Sequence, residues 1–106
     1  MWKVEKGSKL GVTTANYTDA LDWGVSEMGE KTILLKNTGM SNSLKYKMYG
    51  GAGDNGITVE IIPENTLLAA EIAQIHYKRQ WHRLVLQVKN GSGETEYQID
   101  YEGQGA

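Results

Sequence analysis

The stretch that most constrains the fold is residues 81–101, WHRLVLQVKNGSGETEYQIDY. Both halves alternate apolar with polar residues, the period of two that is typical of a β-strand. The apolar positions are Leu84, Leu86 and Val88 in the first half and Tyr97, Ile99 and Tyr101 in the second. Between them, residues 90–93 (NGSG) suit a tight reversal because asparagine and glycine tolerate positive φ. The pattern predicts a long β-hairpin that closes the domain.

The same alternation recurs through the middle of the chain. Residues 31–37 and 43–50 predict a second hairpin, turned by residues 38–42. Residues 71–78 predict a further strand with its odd-numbered positions facing the core. Each of these segments is short and bounded by glycine, asparagine or serine, as strands of an antiparallel sheet usually are.

The remaining segments are less regular. The first twelve residues predict one or two short strands around residues 7–8. Residues 57–61 predict a strand whose odd-numbered positions face the core, and Pro63 ends it or leaves it at a sheet edge. Residues 16–30 are interpreted as a connection that carries Trp23 inward, because two glycines interrupt its weak helical pattern.

Seven or eight short strands with frequent turn signals predict an all-β fold: one antiparallel β-sandwich, either immunoglobulin-like or jelly-roll-like. The length of 106 residues and the mass of 11.8 kDa suit one domain over residues 1–106. Thirteen glycines against a single proline agree with many tight turns. The sequence therefore predicts a single core between two sheets.

The composition argues against several classes of function. There is no cysteine, so neither a disulfide framework nor a thiolate metal site can form. A formal net charge of −2 and a pI near 5.6 give no general attraction to nucleic acid or to an anionic membrane. No apolar run approaches the ~20 residues of a membrane span, and the first residues lack the apolar core of a signal peptide.

No residue set indicates catalysis. The two histidines, His76 and His82, are too few for a zinc site without cysteine, and a surface position explains them better. A calcium site on Asp54 and Asn55 would need more oxygen ligands than that loop offers. Nucleophile elbows, phosphate-binding loops and zinc-protease helices are missing from the sequence. We therefore expect no catalytic residue, no metal and no cofactor.

The basic and aromatic stretch over residues 76–83, HYKRQWHR, is the most conspicuous local cluster. Such a stretch can follow a phosphate backbone and stack on bases. The charge is local, however, and the stretch lies where two predicted strands meet, where polar residues are expected. The sequence therefore favours a solvated connection over a nucleic-acid site.

Leu34, Ile62 and Val85 break the alternation, because each lies on the face opposite the core-facing residues of its strand. Trp81 shares the face of Val85. Two explanations stay open: the connection over residues 16–30 or the N-terminus covers them, or a protein partner buries them. On the second explanation, two nearby arginines would fix the partner's orientation. The candidate interface residues are Leu34, Ile62, Arg79, Trp81, Arg83 and Val85.

Aromatic residues suggest an alternative function. Most tyrosines alternate in phase with aliphatic residues and are better explained as core. Trp23, Tyr49 and Trp81 are the exceptions, and together they could form a stacking platform for sugars. This pattern keeps open a carbohydrate- or cell-surface-binding β-sandwich.

Several motifs resemble known β-sandwich proteins. The residues LDWG at 21–24, Gly29, TILLKNTG at 32–39 and Leu44 resemble the "WG … G … NTG … L" pattern of immunoglobulin-like modules. In that pattern a glycine turn leads into a strand and Asn-Thr-Gly closes the hairpin to the next strand. The usual proline before Gly29 is missing, as is the signal peptide of the secreted modules.

The later segments 64–71, 81–88 and 97–101 are similar to small β-sandwich proteins of tailed-phage virions. The resemblance implies a non-enzymatic structural or assembly protein, such as a capsid decoration or head/tail component. Its partners would be other virion subunits, with a homo-oligomer or multiple copies on a particle. If Met1 is the native start, the protein would be made in the host cytoplasm and carried in the virion.

Overall fold

The computed structural model describes residues 3–25, 28–53, 56–78 and 81–105. These residues form eight β-strands and contain no helix. The strands are β1 (Lys3–Val12), β2 (Thr18–Gly24), β3 (Glu30–Asn37), β4 (Leu44–Gly51), β5 (Thr58–Leu67), β6 (Ile72–Lys78), β7 (Arg83–Asn90) and β8 (Glu96–Gly105). The predicted all-β class and strand number are confirmed.

The strands form two four-stranded sheets that enclose one core. Sheet 1 has the order β1-β8-β3-β6 and sheet 2 the order β2-β7-β4-β5, with every pair antiparallel. The pairs β1·β8, β2·β7, β3·β6 and β4·β5 make one long antiparallel ribbon that is rolled up on itself. This is the jelly-roll alternative, because an immunoglobulin sandwich divides its strands differently between the sheets.

Both predicted hairpins are wrong. β7 lies in sheet 2 and β8 in sheet 1, while β3 lies in sheet 1 and β4 in sheet 2, so each connection crosses from one sheet to the other. Among the described strands, only β4 and β5 are both consecutive and paired. The alternation misled the prediction because it shows which face of a strand is apolar and carries no signal for the neighbouring strand.

The apolar faces meet between the sheets as the alternation predicts. Inward residues of β3 and β4, such as Ile33, Leu35 and Met48, are at most 1% exposed. The buried apolar core comprises Ala20, Leu21, Trp23, Val25, Met28, Ile33, Leu35, Leu44, Met48, Leu67, Ile75, Leu84, Leu86, Val88, Tyr97 and Ile99. Burial of such side chains, at about 25 cal/mol per Å² of apolar area, is the main favourable term for a chain without disulfides.

The phase of β5 differs from the prediction. Ile57 and Val59 are 88% and 51% exposed, whereas Ile61 and Ile62 both pack against the core. The register explains the change: Tyr49 pairs with residue 60 but Met48 pairs with Ile62, so one extra residue interrupts the alternation. β5 is an edge strand, and Pro63 lies within it, in agreement with the edge alternative.

The N-terminal part is more regular than predicted. β1 is one continuous strand, and the segment interpreted as a connection contains β2. Trp23 on β2 points into the core as expected, is 4% exposed, and donates its indole N–H to Glu5 Oε1 at 2.7 Å. Its ring lies 4.9 Å from that of Tyr101 at a tilt of 57°. This contact joins β2 to the opposite sheet.

Asn37 ties three chain connections together at one end of the sandwich. It is fully buried, and its amide donates to the carbonyl oxygens of Asn42 and Leu67 at 2.8 and 3.1 Å. Its Oδ1 accepts hydrogen bonds from Gly39 N at 3.0 Å and from Thr95 Oγ1 at 2.9 Å. Asn37 therefore links the end of β5 and the connection after β3 to Thr95, the residue before β8.

Lys31 is a buried cation at the other end of β3. It is 1% exposed, and its Nζ donates to the backbone oxygen of Trp81 at 3.0 Å. Desolvation lowers the pKa of Lys31 below its ordinary value of 10.5, because burial disfavours the charged form.

The lowered pKa of Lys31 predicts a pH dependence of stability. Between that pKa and 10.5 the unfolded chain binds more protons, so the free energy of unfolding should rise with pH in this window. Lys31→Met should lose this rise. Urea unfolding of both proteins from about pH 7 to pH 10 measures the difference. A difference that does not change with pH would show that folding leaves the pKa of Lys31 unshifted.

Candidate interaction surfaces

The outer face of sheet 1 is a regular grid of side chains. The even-numbered residues of β1 point outward, and the strand register places them in rows with outward residues of β8, β3 and β6. One central row consists of Lys6, Glu102, Thr32 and His76. The next row consists of Ser8, Asp100, Leu34 and Gln74. A shallow groove of about 620 Å³ runs across β1, β8 and β3 at these rows. Leu34 is the aliphatic residue among those that line the groove.

Exposed apolar side chains concentrate on this face. Five of the nine exposed large hydrophobic residues among the described part of the chain lie there. They are Val4 (51% exposed), Leu10 (79%), Val12 (49%), Leu34 (37%) and Ile72 (52%). Three of them belong to the edge strand β1 and one to the opposite edge strand β6. In the strand register Leu34 lies between Asp100 and Gln74, so these apolar side chains share one outer face and alternate there with polar ones.

The outer face of sheet 2 is covered by its own polar side chains. Val85 points outward, yet it is only 6% exposed because Asp22 and Tyr49 flank it on the neighbouring strands. Arg83 forms a bidentate pair with Asp22, at 2.8 Å from Nε and 2.7 Å from Nη2. This hydrogen bonding lowers the pKa of Asp22 below 3.8. The face offers little apolar surface to a partner.

A second polar cluster occupies the other end of that face. Tyr17 donates its hydroxyl to Glu64 Oε1 at 2.6 Å, and Lys47 Nζ lies 4.2 Å from the centre of the Tyr17 ring. Lys45 and Lys89 approach Glu64 at 3.9 and 3.8 Å. The tyrosine hydrogen bond lowers the pKa of Glu64, and burial raises that of Tyr17. Glu64 therefore contacts the tyrosine hydroxyl and two lysines, and this end of the face is polar.

The residues predicted to contact a partner do not form one surface. Leu34 lies on the outer face of sheet 1, whereas Val85 and Arg83 lie on sheet 2. Ile62 and Trp81 pack against the core, and Arg79 falls outside the described residues. Of the apolar members, only Leu34 is exposed beyond a third of its surface. A role of these residues in partner binding stays a prediction.

The predicted stacking residues are separated as well. Trp23 is a core residue, and the ring of Trp81 packs so closely on Gly50 that a Cβ there would lie 2.6 Å from Cδ2. Only Tyr49 borders an open site, a cavity of about 270 Å³ that it shares with Arg83 and Gln87 among others. One half-buried tyrosine is less than a sugar platform requires, so the glycan alternative gains no support from the arrangement of the aromatic residues.

The basic stretch over residues 76–83 is divided between the two sheets. His76 lies on sheet 1, where its Nδ1 is 2.9 Å from Thr32 Oγ1, while Arg83 begins the strand β7 of sheet 2. Within the described ranges no group of three histidine, cysteine, aspartate or glutamate residues could hold a metal ion. The same ranges contain no helix long and apolar enough to cross a membrane.

Sequence reasoning missed the importance of β1. Its inward positions include two glycines, and aromatic rings occupy the space where their side chains would lie: Tyr101 against Gly7 and Tyr97 against Gly11. The rings from β8 thereby complete the inner face of a strand whose own apolar residues point outward. The sequence signal is glycine on one face of β1 and valine or leucine on the other, a pattern that alternation alone does not distinguish from an ordinary strand.

The sequence matches no protein-family model and no curated protein. Solved structures share the fold at low identity. A protein from the disulfide-linked pili of Bacillus endospore appendages superimposes with a TM-score of 0.63 at 9% identity, over 99% of this chain and 89% of that chain. The Yersinia pseudotuberculosis-derived mitogen gives 0.62 at 16% identity, over 92% and 84%. The SPBc2 prophage-derived protein YomS gives 0.57 at 13% identity, over 94% and 95%. These similarities show the fold alone.

Proposed function

We propose that this protein is a non-enzymatic structural protein that assembles in multiple copies through the outer face of sheet 1. The finer proposal is a virion component, such as a capsid decoration or head/tail protein, made in the host cytoplasm. Its mechanism is surface complementarity: exposed apolar side chains become buried while charged neighbours fix the orientation. Repeated copies on a particle would add avidity to a modest single contact.

The observation that carries the proposal is the difference between the two outer faces. Sheet 1 exposes Leu34 in its middle and valine, leucine and isoleucine on its edge strands. Sheet 2 covers Val85 with its own ion pair, and among its described strands the exposed large apolar residue is Val59 on the edge strand β5, at 51%. The outer face of sheet 1 thus carries five exposed large apolar side chains against one on the strands of sheet 2, and this asymmetry favours sheet 1 as the interaction face.

The comparisons and the motif resemblance support the finer proposal. A pilus protein and a prophage-derived protein share the fold, and the first is a component of an assembly by its description. The segments similar to tailed-phage virion proteins point in the same direction. Since one fold hosts many functions, this support is analogy and the surface is the physical argument.

The proposal predicts self-association that depends on Leu34. Light scattering over a concentration series should show oligomers or larger particles of the unmodified protein. Leu34→Asp should weaken the association at least about tenfold, because a buried carboxylate costs well over 1.4 kcal/mol. Ile57→Asp is the matched control, since Ile57 is 88% exposed and lies on a loop away from sheet 1.

The control variant should assemble like the unmodified protein, and both variants should unfold at the same urea concentration as it does. A protein that stays monomeric at every concentration would overturn the proposal. An equal loss of association in Leu34→Asp and Ile57→Asp would also contradict it, because the effect would then come from added charge rather than from this face.

A further inference from the structure

The free edge of β1 is one of two ten-residue sheet edges among the described strands, and unlike β5 it contains neither a proline nor a register shift. β1 is the last strand of sheet 1, runs for ten residues from Lys3 to Val12, and pairs only with β8. An open edge offers a row of N–H and C=O groups to any strand that can lie beside it. The side chains next to this edge include Leu10 and Val4, at 79% and 51% exposure.

The sequence of β1 is complementary to itself in one antiparallel register. When Gly7 lies opposite Gly7 of a second copy, Val4 faces the partner's Leu10 on the outer face of the sheet. On the inner face, Glu5 faces the partner's Lys9, so opposite charges meet. Two-fold symmetry produces each of these pairs twice. Apolar pairs and opposite-charge pairs across strands are the pairs that stabilise a sheet.

The neighbouring registers lack this complementarity. With Lys6 opposite Lys6, like charges meet on the symmetry axis and Glu5 faces the partner's Gly7. With Ser8 opposite Ser8, Glu5 faces the partner's Gly11 and Leu10 faces the partner's Lys6. Shifts by a single residue would place inward and outward side chains on the same face, which the pleat forbids. The self-complementary register is therefore the one centred on Gly7.

From this edge and register we infer that two copies of the chain pair through β1, antiparallel about Gly7, into one continuous eight-stranded sheet. The occupant of the edge is a second copy of this protein. The inference rests on the proposed self-association and adds a contact through the sheet edge beside the face contact that depends on Leu34. Pairing joins the outer faces of both copies, so the exposed residues of β1 come together at the centre of a larger apolar surface.

Disulfide trapping tests the register directly, because the chain contains no cysteine of its own. In the proposed pair, Lys6 lies opposite the partner's Ser8, with an expected Cα separation of about 4.5–5.5 Å that suits a disulfide. Lys6→Cys and Ser8→Cys are made as separate single variants, both at exposed positions. Each is oxidised alone and as an equal mixture, and intact mass identifies which two chains are joined.

The mixture should form the mixed dimer in at least tenfold higher yield than either variant forms its own. Efficient trapping of Lys6→Cys alone or of Ser8→Cys alone would indicate a neighbouring register and overturn the inference. If light scattering shows oligomers while no combination is trapped, the edge pairing is wrong and the proposed assembly function stands. If light scattering shows only monomers, the proposed function fails and the inference fails with it.

Discussion

Replacing Asn37 with alanine is expected to lower the free energy of unfolding by about 3–5 kcal/mol, a large part of the stability of a domain this size. The variant leaves the buried carbonyl oxygen of Leu67 and the part-buried carbonyl oxygen of Asn42 without the amide that donates to them. It also removes the acceptor of Gly39 N and Thr95 Oγ1. Each buried group left without a partner costs roughly 1–3 kcal/mol. Urea unfolding followed by tryptophan fluorescence measures the loss.

Asn65→Ala is the matched control for this prediction. Asn65 is exposed, and its amide only donates to the Pro63 carbonyl two residues earlier, at 3.3 Å. This variant should change the free energy of unfolding by less than about 0.5 kcal/mol. Equal effects of the two substitutions would show that the buried network around Asn37 does not hold the chain connections together.

Trp81→Ala is expected to destabilise the fold by about 2–4 kcal/mol, because it removes a large, partly buried ring that packs against the core. The outward placement inferred from alternation predicts the opposite, an intact fold with lost assembly. The ring instead packs against Gly50 at the end of sheet 2, and the backbone oxygen of Trp81 accepts the hydrogen bond of buried Lys31. Thermal or urea unfolding distinguishes these outcomes.

Trp81→Phe tests the contribution of the aromatic ring separately from that of the indole N–H. The indole Nε1 is buried and has no hydrogen-bond partner among the described residues. Phenylalanine keeps much of the apolar contact and removes this unsatisfied donor, so the cost should be below about 1.5 kcal/mol. If Trp81→Ala has normal stability but fails to assemble, Trp81 is an interface residue and the packing argument is wrong.

The two predictions concern residues that the sequence singled out for other reasons. Asn37 belongs to a motif interpreted as closing a hairpin, and it instead links connections that run between the two sheets. Strand phase predicts that Trp81 shares the face of Val85, but residue 81 precedes β7 and does not follow its alternation. In both cases the residue type was informative, and its contacts depended on segments distant in the chain.

The candidate surface was predicted only in part. Leu34 is exposed as its position between buried Ile33 and Leu35 suggests. Val85 also points outward, yet the pair between Arg83 and Asp22 covers it, and those two residues are 61 positions apart in sequence. Exposure of an outward residue depends on which strands lie beside it, and periodicity holds no information about that.

The sequence by itself determined the strand content and the inward face of most strands. It did so because alternation with a period of two is a local consequence of extended backbone geometry. Only the tertiary structure decided which strands are neighbours, that all consecutive strands except β4 and β5 cross between sheets, and that β1 is a free edge. Those choices depend on hydrogen bonds and packing between residues far apart in the chain, such as Gly7 beneath the ring of Tyr101. The proposed function depends on the tertiary structure, since it rests on the surface that the strand order leaves uncovered.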